Sequence, residues 1–317
     1  KKVREKTFGA PAVRPRRVLK WLKYAAVVLP VSLSLSLWYT WKEKMENKQA
    51  TVACLSPVLT LDNGERYQLD PEEQTEIYVD EEVKAYQAGG GLIYDTTARQ
   101  EENKYNRIEV PRGSEYWIVL PDGTRVWLNA ATELKYPVAF HAKERRVYLK
   151  GEAYFEVAKD SKRPFIVKAN GLSIRQYGTK FSVNARSPQA TTVALEEGSV
   201  GVFSSKTNVQ MLKVGQVAVW NETAQTVTIS DKNLEPYTAW HRNRFVFENE
   251  SLGKIMETLS LWYNMDVRFQ DAELADLHFT GNVSRYEDIN VILKGVEATV
   301  NVQCDIQNRQ IRIMRKP

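Results

Sequence analysis

LPDGTRVWL, residues 120–128, carries the pattern from which the fold is read. A leucine is followed by two residues, a glycine, four residues and a large apolar residue. Pro-Asp-Gly is turn chemistry, the glycine tolerates a positive φ, and the flanking residues alternate, so the stretch predicts a β-hairpin. The same arrangement recurs as LDNGERYQL (61–69), LEEGSVGVF (195–203) and LKVGQVAVW (212–220). The copies are irregularly spaced, which describes a reused hairpin and not a fixed-period repeat. From Val52 to Ser230, short apolar alternations separated by Gly, Pro, Asp and Asn read as strands. The fold class is therefore mostly β, with a β-sandwich and a short, irregular β-solenoid as the two candidate architectures.

The pattern changes near Tyr237. Phe245 and Phe247 alternate as in a strand, and Leu252, Ile255, Met256, Leu259 and Trp262 then fall on one helical face. Met265, Val267 and Phe269 alternate again, followed by a strand over 277–283. Ser284 and Glu287 have the spacing of a capping box for a second helix, whose apolar face is Ile289, Ile292, Leu293 and Val296. Strands over 301–306 and 310–314, with Asn308 between them, close a βαββαββ order, a small α+β domain over 240–317.

Upstream, YAAVVLPVSLSLSLWYTW (24–41) carries no charge. As a helix it spans roughly 27 Å, enough for a hydrocarbon core of about 30 Å. Trp21 and Tyr24 at one end, and Trp38, Tyr39 and Trp41 at the other, suit headgroup level. A cleaved signal peptide is the rival, but it wants small residues after the apolar run, where Trp38 to Lys42 stand instead. The reading is a single retained transmembrane helix, loosened at Pro30. Before it come Lys1, Lys2, Arg4, Lys6, Arg14, Arg16, Arg17, Lys20 and Lys23 against Glu5 alone, whereas the whole chain is only +5. The tail (1–23) is thus strongly basic and the rest net acidic. The positive-inside rule places the tail in the cytoplasm and the bulk outside, in the periplasm of an inner-membrane protein. The basic charge suits anionic lipid headgroups and gives no reason to expect nucleic acid. Residues 42–54 read as a stalk, and 55–235 as the β domain. The chain begins at Lys1 and not Met, as a piece of a longer protein would.

No metabolic enzyme is indicated. His141, His241 and His278 lack metal-ligand spacing, so no metal is expected, nor any cofactor. Gly89-Gly90-Gly91 precedes a strand-like run and not a helix with a lysine, so it reads as a flexible loop. Cys54 and Cys304 are far apart, and Cys304 alternates with Val302 and Ile306 as a buried free thiol would. A membrane-anchored glycan or cell-wall binding module is the alternative function; it needs exposed aromatic rings, whereas Trp127, Trp220 and Trp262 lie in core patterns.

Pro111-Arg112-Gly113, LPDGTRVWLNAATELKYP (120–137), Arg146-Val147-Tyr148-Leu149, GEAYFEV (151–157), Arg163-Pro164-Phe165-Ile166-Val167 and YGTKFSVNA (177–185) together resemble the periplasmic domain of FecR-type anti-sigma factors, in the form found in Bacteroidetes. The C-terminal domain is similar to the short N-terminal domain of secretins and TonB-dependent receptors, an STN-like domain. The resemblance implies a signal relay. The signalling domain of a TonB-dependent outer-membrane transporter contacts the periplasmic part, and an extracytoplasmic-function (ECF) sigma factor is released or activated in the cytoplasm. The family places a helical sigma-binding region before the anchor, where this sequence has only the basic tail, as a truncated piece would. The resemblance also implies a self-cleavage site between Gly178 and Thr179, where some members are cut by the threonine hydroxyl attacking the preceding carbonyl; the competing reading is a strand bulge at Gly178. A partner strand is expected at the edge of the last strand, with Arg309, Gln310, Ile311, Arg312, Ile313 and Arg315 as the contact residues. Tyr237, Trp240 and Arg242 are placed to fasten the two domains together.

Overall fold

The computed structural model describes residues 55–70, 73–79, 84–94, 104–140 and 143–316. The tail, the expected transmembrane helix and the stalk lie outside the described residues, as do Cys54 and His141. Among the described residues no helix is long and apolar enough to cross a membrane. Val52–Pro317 forms one compact unit.

Among the described residues, eighteen strands, from Val58–Thr60 to Thr226–Asp231, form a sheet curled on itself into two layers. The pivot is the long strand Arg145–Glu156. Its first half pairs with Phe165–Ala169 and Thr132–Pro137 in one layer, and its second half, from Gly151 on, pairs with Lys180–Ala185 and Arg125–Leu128 in the other. Gly151 has φ 103°, and a Cβ there would lie 2.5 Å from Thr132 Oγ1 and 2.7 Å from the Ala131 carbonyl. Only glycine can make this bend. Leu59, Ile108, Val147 and Ile174 of one layer and Ile118, Val126, Phe155 and Phe181 of the other are fully buried in one continuous core. Among the described residues, parallel pairing within this sheet is confined to Arg145–Tyr148 against Phe165–Lys168 and Gly91–Ile93 against Trp117–Val119. A solenoid stacks parallel coils throughout, so of the two candidates the layered arrangement holds.

Gly64, Gly123, Gly198 and Gly215 of the recurring motif all turn with φ between 82° and 89°. Only the first two close hairpins, joining Val58–Thr60 to Arg66–Gln68 and Tyr116–Val119 to Arg125–Leu128. The other two are a correction. Ala190–Glu197 and Gln216–Asn221 pair with each other in one layer, whereas Val200–Phe203 and Gln210–Leu212 pair in the other. Gly198 and Gly215 are therefore corners that carry the chain between layers, and they support each other, Gly215 N donating to the Leu195 carbonyl at 3.1 Å. The motif dictates the local turn; burial decides which strands pair. Gly89-Gly90 is likewise not a flexible loop. With φ 58° and 77° it makes a two-residue hairpin turn between Lys84–Ala88 and Gly91–Tyr94.

Beyond the linker a second core forms around helix α1 (Leu252–Trp262) and helix α2 (Ile289–Thr299). Ser251 caps α1 by accepting from Lys254 N. The capping box expected at Ser284 and Glu287 does not form. Ser284 ends the strand His278–Ser284, and Asp288 caps α2 by accepting from Asn290 N at 2.8 Å. Arg244–Ser251 and His278–Ser284 make a two-stranded sheet. Asp266–Phe269, Gln310–Arg315 and Val302–Gln307 make a three-stranded one, in that order. Gln310–Arg315 is thus the middle strand, and Ile311 and Ile313 are fully buried. The expected strand addition at 310–314 is corrected: both edges of that strand are already paired. Its alternating isoleucines are what put it in the centre.

Candidate functional site at the domain junction

The turn after His278–Ser284 places Arg285 between the two cores with no exposure to solvent. Its guanidinium lies 3.8 Å from the Trp262 ring centroid. Nη1 donates to Glu115 Oε2 and to the Trp240 carbonyl, and Nη2 to Asn129 Oδ1, each at 2.8 Å. Burial pulls the Arg285 pKa down, with Glu115 and then Glu152 opposing; a guanidinium nonetheless stays charged. The turn is itself fastened, since the Arg285 carbonyl accepts from Trp262 Nε1 at 2.6 Å and its N–H donates to Asn243 at 3.0 Å. Tyr286 donates to the other oxygen of Glu115 at 2.6 Å.

A second arginine crosses in the opposite direction. Arg112 Nη2 donates to the carbonyls of Ser260 (3.1 Å) and Met265 (2.6 Å), Nη1 pairs with Asp266 (3.1 Å), and Gly113 N donates to Leu261 O (2.8 Å). The last carbonyls of α1 have no intrahelical donors, so a cation and an N–H at this end are favourable. Behind Asn129 the network continues. Asn129 Nδ2 and Asn184 Nδ2 donate to the two oxygens of Glu152, at 2.7 and 3.1 Å, Arg186 pairs with the same carboxylate, and Arg186 Nη2 reaches the Ala130 carbonyl at 2.8 Å. Pro111-Arg112-Gly113, Asn129 in the 120–137 motif, Glu152 in GEAYFEV and Asn184 in YGTKFSVNA are far apart in sequence and converge here.

The linker forms the third attachment through the turns Glu235–Thr238 and Ala239–Arg242. His241 stacks on Tyr154 at 3.6 Å and 11°, with Trp127 at 5.7 Å. Arg242 pairs with Glu196 and Glu235 at 3.0 Å each, and Tyr154 donates to Glu196. Burial lowers the His241 pKa, while the Thr238 carbonyl opposes it. Trp240 is buried, and its Nε1 has no acceptor among the described residues. Trp240 and Arg242 thus fasten the domains as expected, and Tyr237 lines the space beside them. That space is a groove of about 430 Å³, bounded by Ser182, Thr192 and Ala194 of the β layer, by residues 244–247 of the adjoining strand, and by Lys254 and Glu257 of α1.

The expected site residues lie elsewhere. Gly178 has φ 143°, Thr179 is buried, and its Oγ1 has no partner among the described residues. They border a separate cleft of about 220 Å³ with Arg125, Glu156, Lys180 and Glu197, and the strand bulges between Lys180 and Phe181. The C-terminal arginines are engaged within their own domain: Arg309 with the Asn264 carbonyl at 2.8 Å, Arg312 with Gln307 at 3.3 Å, and Arg315 with Glu273 and Asp271 at 2.8 and 3.3 Å. Gln310 pairs with Asp266 and Gln307 in its sheet. Arg112, Asn129, Glu152 and Asn184 lie within the motifs of the family resemblance, but nothing in their spacing shows that they meet. For Arg285 and Glu115 no local signal existed.

A search of curated proteins gave no match. Two crystal structures of a protein from Parabacteroides distasonis, assigned as an anti-sigma factor, match with a TM-score of 0.61 and 24% identity over 67% of this chain, and over 99% and 100% of theirs. At that identity the likeness is one of fold. The family model described as FecR protein matches residues 106–201, and the one described as FecR, C-terminal, matches 244–313. Between them they take in more than half of the sequence and all of the junction residues from Arg112 to Glu196 and from Arg244 to Arg285, and the chain belongs to the FecR family.

Proposed function

We propose that the protein is a membrane-anchored anti-sigma factor that relays the state of a TonB-dependent outer-membrane transporter to a cytoplasmic ECF sigma factor. The observation that carries this reading is the junction. A small C-terminal module is fastened to the β domain by a desolvated arginine, and of the groups that receive it Asn129 and Glu115 lie within the stretch matched by the FecR model. A receiving module attached through polar, breakable contacts to a domain leading towards the anchor is what a relay requires. Residues 24–41 supply the anchor in the inner membrane, with the tail in the cytoplasm. The transporter's signalling domain is received on the C-terminal module, where the two-stranded sheet has unpaired outer edges among the described residues. The two P. distasonis structures, assigned as anti-sigma factors, support the same direction.

The test is a pull-down from solubilised membranes of the source cell with the full chain as bait. Recovery of a TonB-dependent transporter, lost on deletion of 240–317, is the expected result. Recovery of cell-wall fragments alone would replace this reading with the binding-module alternative, which the burial of Trp220 and Trp262 disfavours.

A second reading, self-cleavage, is favoured by the unpartnered Thr179 hydroxyl beside a glycine at φ 143°. The hydroxyl oxygen attacks the Gly178 carbonyl, the Gly178–Thr179 amide breaks to leave an ester and a free amine, and water then hydrolyses the ester. Purified protein that runs as two fragments on a denaturing gel, with Thr179→Ala intact, is the expected outcome. Days of incubation without a second band would end the idea.

A further inference from the structure

Away from the junction, residues 158–163 fold over a buried arginine. Arg145 is 1% exposed and lies against the Phe165 ring, 5.5 Å from its centroid. Nε donates to the Arg163 carbonyl at 3.2 Å, and Nη1 to Asp122 at 2.8 Å and the Ala158 carbonyl at 2.9 Å. Nη2 has no acceptor among the described residues. A buried guanidinium nitrogen normally finds one, because leaving it unpaired carries a full desolvation cost. Beside it is a cavity of about 400 Å³ lined by Asp122, Arg145, Lys159, Asp160, Ser161, Lys162 and Arg163, with Ala158.

Charge decides what belongs there. Both aspartates are already saturated. Asp122 accepts from Arg145 and from the N–H and hydroxyl of Thr124 (3.0 and 2.8 Å). Asp160 accepts from Lys162 N, Arg163 N and Arg163 Nε (2.9, 3.1 and 2.8 Å). Arg145 and Arg163 answer these two carboxylates. Lys159 and Lys162 are exposed and have no ion-pair partner among the described residues. The lining therefore carries two positive charges in excess, together with an open guanidinium nitrogen and the Ser161 hydroxyl. Donors on several sides of one small space match a tetrahedral dianion better than a planar carboxylate, which carries only one charge.

We propose that this pocket binds a phosphate group, either as the free ion or as a monoester, through Lys159, Lys162 and Arg145. The cavity is larger than bare phosphate needs, so the group esterified to it has room. The site stands independently of the relay: it lies on the β domain and uses none of the junction residues.

The test uses the full chain in detergent micelles, titrated calorimetrically with inorganic phosphate and with glucose 1-phosphate at fixed ionic strength. Saturable one-site binding is expected, weakened about tenfold or more in Lys159→Ala/Lys162→Ala. Those side chains are exposed and unpartnered, and an unchanged melting curve checks that the variant folds. The monoester's affinity should fall as the pH drops below about 6, where it loses its second charge. Tighter binding of glucose 1-phosphate would assign a phosphorylated carbohydrate as the ligand; binding of inorganic phosphate alone would assign the free ion. Heats that do not saturate, or that are the same in the double-lysine variant, would overturn the proposal.

Discussion

Arg285 shows what a single side chain can do when it is buried between two cores. It is fully buried, and its three hydrogen bonds and the Trp262 face replace part of the water it lost, Nε having no acceptor among the described residues. Its value is clearest from removal. Truncating one member of a buried pair costs about 3–5 kcal/mol, but Glu115 is 31% exposed and can regain water. Arg285→Ala should therefore lower stability by about 2–3 kcal/mol, read from the denaturant midpoint. Arg285→Lys should recover only part, since one ammonium cannot fork to Glu115 and Asn129 together. None of this was legible in the sequence, because the partners lie 170 and 156 residues away. Cys304 was legible, as its strand alternation places it against the core; it is free and partly buried. Burial, with Glu297 adding, pushes its thiol up to about 11 from 9.0. The folded state thus holds the proton longer than the unfolded one. Its contribution to stability is complete below about pH 9 and is lost as the pH rises through about 11. In a Cys54→Ser background, iodoacetamide labelling of the native protein should rise with a midpoint near pH 11; a midpoint near 9 would mean the thiol is open to water.

At the level of elements, local chemistry was legible and pairing was not. The four motif glycines all adopt the turn conformation their sequence demands, but at Gly198 and Gly215 the flanking strands belong to different layers. The helical faces of α1 and α2 emerge as the periodicity laid them out, because a 3.6-residue period is written locally. Gln310–Arg315 read as an edge only because it comes last in sequence, and order in sequence is not order in a sheet. Gly151 marks where one strand leaves one layer for the other. Gly151→Ala would need φ near 103° and would press a methyl group on Thr132 and the Ala131 carbonyl, so a loss of about 2–4 kcal/mol in the melting transition is expected. The linker carries a pH dependence. His241 resists protonation in its stack on Tyr154, whereas the unfolded chain takes up a proton near pH 6.5. Stability from this stack is complete above about pH 6.5 and falls with further acid, because the unfolded state then binds more protons. His241→Phe keeps the stacking and should flatten the fall in melting temperature between pH 7 and pH 5. An unchanged slope would place the acid sensitivity in the carboxylates instead.

For the whole molecule, the balance between two cores matters more than either one. The β core and the C-terminal core are separate apolar clusters, and what joins them is polar at Arg285, Arg112 and Arg242 and aromatic where His241 stacks on Tyr154. Apolar periodicity reveals cores, which is why both clusters could be read from sequence, while of the contacts between them only those of Trp240 and Arg242 in the linker could. A junction held mainly by hydrogen bonds and ion pairs can be undone with little hydrophobic surface exposed, which suits parts that must change their relation without unfolding. This makes a prediction about cooperativity. With the junction intact, the two domains should melt in one transition, because separating them leaves Arg285 and Glu115 without each other. In Arg112→Ala/Arg285→Ala, both crossing arginines are gone and each core remains complete. Calorimetry should then resolve two transitions, and amide exchange in α1 and α2 should quicken while exchange in Arg145–Glu156 stays slow. The arginines share no hydrogen-bond partner, but both hold residues 112–115 against residues 260–262, so their separate losses in stability should couple and not simply add. One sharp transition in the double variant would mean that the linker stack of His241 on Tyr154 couples the domains, and the place to break the relay would move there.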